Sequence, residues 1–319
     1  MSRPGPIFLA GVDRSGIGLL GELLDAHPEI SISRRTNFWS FYYGRFGPLG
    51  IDANLDRCLD SLGRYTRIRA LTPEFDAIKR EFDATADKSY GRLFALIQSE
   101  HASRRGKRRW GDKSLDTEGH AATIFDEYVS ARIVHVMRDP RDRFASQSDR
   151  RQAGRGGVGS GTALWQWSAA LAECNRARFG DRYLVVRFED LVCETEQCLR
   201  SICEFIGEPY SSAMIAALAD GEPRARDGAE KPRPTLRRTG IGRYERELSA
   251  RQVAFIESRA ARPMSRFGYQ PSHARGRAGR VRYVAIDRPM WSAGAVVWRL
   301  RRRLGERSEP SPRRVVASS

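Results

Sequence analysis

Three short stretches gather residue types that handle anions. The first, Gly11-Val-Asp-Arg-Ser-Gly-Ile-Gly18, follows the apolar run Ile7-Phe-Leu-Ala10. Its three glycines let backbone approach a ligand closely. Leu19, Leu20, Leu23 and Leu24 then recur at helical spacing until His27-Pro28 stops the helix. A strand, a glycine-bearing loop and a helix N-terminus together make an anion site, because free N–H groups and the helix dipole face the bound group. A nucleoside triphosphate loop would read Gly-x-x-x-x-Gly-Lys-Ser/Thr. Gly11 and Gly16 keep that spacing, but Ile17 and Gly18 stand where Lys and the hydroxyl belong. This excludes metal-assisted triphosphate hydrolysis. The cation comes early instead, at Arg14, and no metal is expected.

The second stretch is Arg138-Asp-Pro-Arg-Asp-Arg-Phe-Ala-Ser146, where the strand-like run 132–137 turns into a helix. An arginine offers a bidentate fork to phosphate, and a serine adds a hydroxyl. Pro140 suits an early helical position and Asp139 an N-cap. The third is Trp110-Gly-Asp-Lys113-Ser, holding one of only five lysines among 55 basic residues. A lysine is a compact cation on a flexible stem, suited to neutralising charge on a departing oxygen. Asp112 beside it is expected to orient it; a solvent-exposed salt bridge is the competing reading. A further loop, Arg238-Thr-Gly-Ile-Gly-Arg243-Tyr, adds two cations and two glycines.

Arg14-Ser15-Gly16 ahead of a helix ending in Leu24-Asp-Ala-His-Pro28 resembles the 5′-phosphosulfate loop of sulfotransferases, which use 3′-phosphoadenosine 5′-phosphosulfate (PAPS). Ile17 and Gly18 depart from the two threonines usual there, which removes two hydroxyls and leaves the backbone N–H groups. Arg138 with Ser146 resembles that family's 3′-phosphate site, Lys113 its catalytic lysine element, and 238–244 the loop that closes over the 3′-phosphate. The stretch 183–191 resembles its Tyr-Glu-Asp-Leu segment, read as structural. The resemblance implies that Arg14, Ser15, Gly16, Ile17 and Gly18 bind the 5′-phosphosulfate and that Arg138, Ser146, Arg238 and Arg243 bind the 3′-phosphate. It gives catalytic roles to Lys113 and Arg14. The implied reaction moves a sulfuryl group from PAPS to a hydroxyl or amine of a small-molecule, carbohydrate or lipid acceptor and releases adenosine 3′,5′-bisphosphate. Many relatives carry Glu-Thr where this chain has Arg35-Thr36, and arginine cannot act as a base at working pH. Asp13, Asp112 and Glu118 are the candidate carboxylates; an acceptor that ionises readily would need none. A non-catalytic PAPS-binding or regulatory protein is the alternative. A nucleic-acid binder ranks third, since it would explain the charge but not an ordered pair of phosphate sites.

The elements that must position these residues alternate. Strand-like runs at 7–10, 29–33, 132–137 and 183–190 are separated by helical stretches at 52–106, 117–129, 163–179 and 195–206, with a last body helix at 248–261. Such alternation predicts a P-loop-like, three-layer α/β/α fold with a central, mainly parallel sheet. The aromatic stretch 37–46 is expected to line a hydrophobic slot, with core packing an equal alternative. His135 inside its strand is expected to be a packed core histidine. Residues 154–161 are expected to be mobile and 221–242 to form a loop.

A chain of 319 residues with a net charge of +16 and a pI of 10.2 seeks anionic partners. Residues 271–319 hold twelve Arg against Asp287, Glu306 and Glu309. The expected division is a sulfotransferase-like domain at 1–270 and a basic extension at 271–319, partly helical or disordered. Within it, 290–298 is about half the apolar length of a membrane span. A basic amphipathic helix over 289–304 touching an anionic membrane is one expectation for this segment; docking on the body or disorder is the other. Five cysteines without a Cys-x-x-Cys pair argue against disulfides or zinc and suit a cytoplasmic location.

Overall fold

Ile7–Ala10 forms β1, the middle of a five-stranded parallel sheet. The computed structural model describes residues 4–148, 157–219, 224–226, 229–231, 240–272 and 283–305. The other sheet strands are β2 (Ile30–Arg34), β3 (Arg109–Lys113), β4 (Arg132–Met137) and β5 (Tyr183–Arg187), ordered β2-β3-β1-β4-β5 with every neighbour parallel. A parallel sheet is covered on both faces, so a central strand must be apolar on both. β1 obeys this: Phe8 and Ala10 enter one core while Ile7 and Leu9 enter the other.

The longer helices are α1 (Ile17–Asp25), α2 (Asp52–Arg64), α3 (Phe75–Ala84), α4 (Tyr90–Arg104), α5 (Pro140–Ser148), α6 (Gly157–Phe179), α7 (Thr195–Ile206), α8 (Ala250–Arg266) and α9 (Arg288–Gly305). Leu55, Leu59 and Leu62 of α2, Ile78 and Phe82 of α3 and Leu93, Phe94 and Ile97 of α4 build the core on the Phe8 side. Leu19, Leu20, Leu23 and Leu24 of α1, with Leu199 and Ile202 of α7, build the core on the Leu9 side. This is the three-layer α/β/α architecture expected.

Local features differ from the sequence expectation, among them the antiparallel strands Arg224–Arg226 and Ala229–Lys231 inside the stretch 221–242 expected to be a loop. β3 is a full strand although its residues read Arg-Trp-Gly-Asp-Lys. β5 stops at Arg187, and Phe188–Cys193 coils into a short helix. Of the two readings of the aromatic stretch, core packing is the one found: Phe38, Trp39 and Tyr42 are buried, and Phe38 stacks on Phe94 with ring centroids 4.4 Å apart. Of the stretch 154–161 expected to be mobile, Gly157–Gly161 opens α6, because close packing demands small residues there, and 154–156 lie outside the described residues. A Cβ on Gly161 would lie 2.9 Å from the Phe144 ring, and one on Gly159 only 1.6 Å from the Trp291 carbonyl oxygen.

That last contact docks the C-terminal helix. α9 packs along α6, with Trp291 edge-on to Phe255 at 5.4 Å. Asp287, just ahead of α9, accepts a 2.7 Å ion pair from Arg251. At the far end Arg302 stacks on Trp167 at 3.5 Å and pairs with Asp116 at 3.1 Å. Among the described residues no helix is long and apolar enough to cross a membrane.

Candidate functional site

The strand order reverses beside β1: the chain moves from β1 to β2 and β3 on one side, then crosses to β4 on the other. Ligands of open α/β sheets bind in the crevice at the carboxyl ends of the strands flanking such a switch point. The first loop follows β1 and the Arg138 stretch follows β4, so the two motifs 124 residues apart meet at this crevice.

The loop after β1 is built from unusual backbone. Gly11, Arg14 and Gly16 take φ of 136°, 70° and 101°. Positive φ at a non-glycine residue is uncommon, and here it turns Arg14 into the crevice. Gly16 caps α1 and offers no side-chain acceptor to the first N–H groups of the helix. It must be glycine, since a Cβ would sit 2.3 Å from the Phe188 ring. A Cβ on Gly18 would meet nothing within 4 Å, so the helix opens onto free space at its second residue. Behind the loop, Glu118 Oε2 accepts the Gly11 N–H at 3.2 Å. Its other oxygen accepts from Ser168 Oγ at 2.9 Å, and Ser168 in turn meets His135 Nε2 at 3.0 Å. With the Ser168 proton committed to Glu118, Nε2 donates to Ser168 and Nδ1 accepts from the Tyr183 hydroxyl at 2.7 Å. Burial pushes the His135 pKa down to about 3, so this is the neutral core histidine expected.

Three arginines converge over the loop. Arg14 Nε and Nη2 donate to Ser146 Oγ at 3.0 and 2.7 Å, joining the two motifs directly. Arg138 donates from Nη1 to the Arg14 carbonyl at 3.0 Å and from Nη2 to the Gly240 carbonyl at 2.7 Å, and lies 4.3 Å over the Phe188 ring. Arg143 donates from Nε to the Asp13 carbonyl at 3.0 Å and from Nη1 to the Gly161 carbonyl at 3.2 Å. Burial lowers the pKa of Arg138 and takes that of Arg143 down to about 10. Among the described residues, three buried polar atoms here have no hydrogen-bond partner: Ser15 Oγ, Arg138 Nε and Arg143 Nη2. An unpaired buried donor costs about 1–3 kcal/mol, and three in one crevice describe a site shaped for an anion with several oxygens.

The Arg243 segment closes beside them. Asp142 Oδ2 and Oδ1 accept the Gly242 and Tyr244 N–H groups at 2.8 and 2.9 Å, and Arg141 stacks on Tyr244 at 4.3 Å. Arg243 itself pairs with Glu247. Arg238 lies outside the described residues.

Lys113 ends β3 in register with Leu9, one strand from the loop. Its stem packs against Gly21 of α1, where a Cβ would lie 3.4 Å from Lys113 Cδ. Burial, then Arg35 and Arg34, push its pKa down to about 8. Of the three candidate carboxylates, two are withdrawn from the crevice. Glu118 holds the loop from behind. Asp112 is fully buried, accepts from Ser33 and Thr36 hydroxyls at 2.9 and 3.0 Å, and is pushed up to about 6 by burial. Asp13 remains about half exposed, 3.9 Å from Arg35 Nη2. Arg35 itself has φ of 54°, with its carbonyl accepting from the Tyr65 hydroxyl at 3.1 Å. Among the described residues no cluster of His, Cys, Asp and Glu is placed to hold a metal ion.

The sulfotransferase family profile matches residues 6–212, which takes in β1 to β5 and all three arginines. The chain belongs to the sulfotransferase family. Two solved structures share the fold: the sulfotransferase domain from the Synechococcus PCC 7002 olefin synthase and that from the curacin biosynthetic pathway. The first is 20% identical with a TM-score of 0.56 and covers 85% of this chain and 98% of its own. The second is 16% identical with the same score and covers 85% and 100%. No curated protein matches the chain in sequence. The crevice also holds groups that sequence reading passed over. Arg143 sat inside the quoted motif, and its position three residues from Ser146 on a helix was the available signal. Phe188, which supports Arg138 and requires Gly16, gave no sequence signal.

Proposed function

We propose that the crevice between the ends of β1 and β4 binds PAPS and that the protein transfers its sulfuryl group to the hydroxyl or amine of a small-molecule, carbohydrate or lipid acceptor. Arg14, Ser15, Gly16, Ile17 and Gly18 take the 5′-phosphosulfate on the open N-terminus of α1. Arg138 and Ser146, with Arg243 nearby, take the 3′-phosphate. The acceptor oxygen attacks sulfur as the bond from sulfur to the 5′-phosphate oxygen breaks. Lys113 and Arg14 neutralise the charge gathering on that leaving oxygen, and the acceptor proton passes to Asp13. Adenosine 3′,5′-bisphosphate departs. One observation supports this reading: among the described residues, Ser15 Oγ, Arg138 Nε and Arg143 Nη2 are buried without a hydrogen-bond partner around the loop that opens α1.

Calorimetry with adenosine 3′,5′-bisphosphate against 5′-AMP and ATP tests it. The bisphosphate is expected to bind at least tenfold tighter than 5′-AMP, and Arg138→Ala to remove most of that advantage, since charged hydrogen bonds contribute about 1.5–3 kcal/mol each. Equal binding of 5′-AMP and the bisphosphate would sink the assignment. A second reading, nucleotide binding without transfer, draws on the withdrawal of Asp112 and Glu118 from the crevice. Product formation across varied acceptors, lost in Lys113→Ala, decides for transfer.

A further inference from the structure

α9 is held to the body by one face only. Trp291, Ala295, Trp298 and Arg302 recur three to four residues apart, and Trp291 and Arg302 make the contacts with α8, α6 and the Asp116 turn. On the opposite face Met290, Ala293, Val297 and Leu300 recur with the same spacing, continued upstream by Ile286 in the preceding turn. These are not minor exposures: Ile286 and Met290 are 57% accessible, Leu300 52% and Val297 44%. A contiguous apolar stripe facing outward from a docked helix marks an interaction surface.

The chemistry of the edges selects the partner. α9 carries five arginines and no acidic residue. Arg302 is turned inward and Arg299 donates to Gln166 Oε1 of α6 at 3.4 Å, whereas Arg288 and Arg301 are exposed, Arg301 beside the stripe. Among the described residues, the carboxylates beside α9 are taken up: Asp287 is buried against Arg251 and Asp116 pairs with Arg302. A second copy meeting this face about a two-fold axis would set arginines against arginines without a counter-charge. An apolar stripe bordered by cations is what an interfacial helix needs on an anionic bilayer, where the stripe enters the acyl boundary and the guanidinium groups stay among the headgroups. We propose that the outward face of α9 docks the protein on an anionic lipid surface. The nucleotide reading is not needed for this, and a vesicle assay without nucleotide keeps the two apart.

The test uses the full chain, because deleting α9 would also uncover Gly159 and Phe255 on the body. Sedimentation with vesicles of phosphatidylglycerol and phosphatidylcholine, against phosphatidylcholine alone, is run at about 0.1 M salt. Strong binding is expected only to the anionic vesicles. The pair Met290→Glu and Val297→Glu should abolish it. The pair Arg288→Gln and Arg301→Gln should weaken it by about fivefold per arginine, the equivalent of about 1 kcal/mol each. Unchanged thermal unfolding in both pairs shows that the docked face of α9 is intact. Absence of binding, equal binding to both vesicles, or binding that survives the glutamates would overturn the proposal. So would lipid-free dimerisation that the glutamates abolish, since the stripe would then belong to a second copy.

Discussion

Lys113 sits where three strand ends compress charge, and its protonation state decides what it can do. Burial and the neighbouring Arg35 and Arg34 bring its pKa to about 8, far below the ordinary lysine value. The folded-state pKa is depressed, so the ammonium that could neutralise a leaving oxygen is present below pH 8 and lost as pH rises through it. A bound polyanion favours the ammonium and must move the pKa upward. With five lysines in the chain, reductive ¹³C-methylation resolves them by NMR. One resonance should titrate near 8, be missing from Lys113→Ala, and shift to higher pH when adenosine 3′,5′-bisphosphate is added. Titration of all signals at the ordinary lysine range would remove Lys113 from the site. At this scale the sequence was legible where residue type implies charge chemistry: Arg14, Lys113, Arg138 and Ser146 all reach the crevice or its rim. It was not legible for burial. Arg143 looks like one more surface charge in a run of charges, yet it is 1% exposed. Asp112, Glu118 and Asp13 read alike as carboxylates, and only tertiary packing separates two structural groups from the exposed one.

Elements were legible where apolar periodicity dominates and hidden where polar contacts replace it. β1 and β4 are continuous apolar runs and lie where expected. β3 was missed because its pairing is secured by polar groups. Arg109 donates from Nε to the Gly5 carbonyl at 2.7 Å and from Nη1 to the Ile206 carbonyl at 2.6 Å, and Asp112 receives the β2 hydroxyl of Ser33. Gly111 fits only because a Cβ would lie 2.6 Å from the Ile7 carbonyl oxygen and from Ile32 Cδ1. None of this leaves an alternation to read. The glycines of α6 misled for a related reason, since their meaning lies in the helix packed against them. Helix propensity alone favours Gly159→Ala by about 1 kcal/mol. The 1.6 Å approach of a Cβ to the Trp291 carbonyl reverses the sign. Overpacking of this kind costs about 1–3 kcal/mol, and the strain is relieved most cheaply by release of α9. Hydrogen exchange should show protection lost across 288–305 in Gly159→Ala while β1 and β4 stay protected. Unchanged protection in α9 would show that the helix pair can shift to admit the methyl group.

At the scale of the molecule, the crevice concentrates a mismatch between folding and function. Arg14, Arg138 and Arg143 repel one another, and burial with unpaired donors adds to the cost. A ligand that pairs with them must therefore stabilise the whole fold, because β1, β4 and the 240–244 segment all meet there. At one hundred times its dissociation constant any ligand specific to the native state contributes about 2.7 kcal/mol. For a chain of this size that corresponds to a rise of a few degrees in the unfolding midpoint. The net charge of +16 supplies a competing explanation, since salt of any kind screens general repulsion. The two separate by ion identity. At matched ionic strength adenosine 3′,5′-bisphosphate should raise the midpoint most, sulfate less, and chloride least. Arg143→Ala should erase most of the difference between sulfate and chloride while leaving the common screening effect. Equal stabilisation by chloride and the bisphosphate would mean that the charge is spread over the surface and that the crevice is no anion site. A graded response lost in the variant would place the anion at the end of β1.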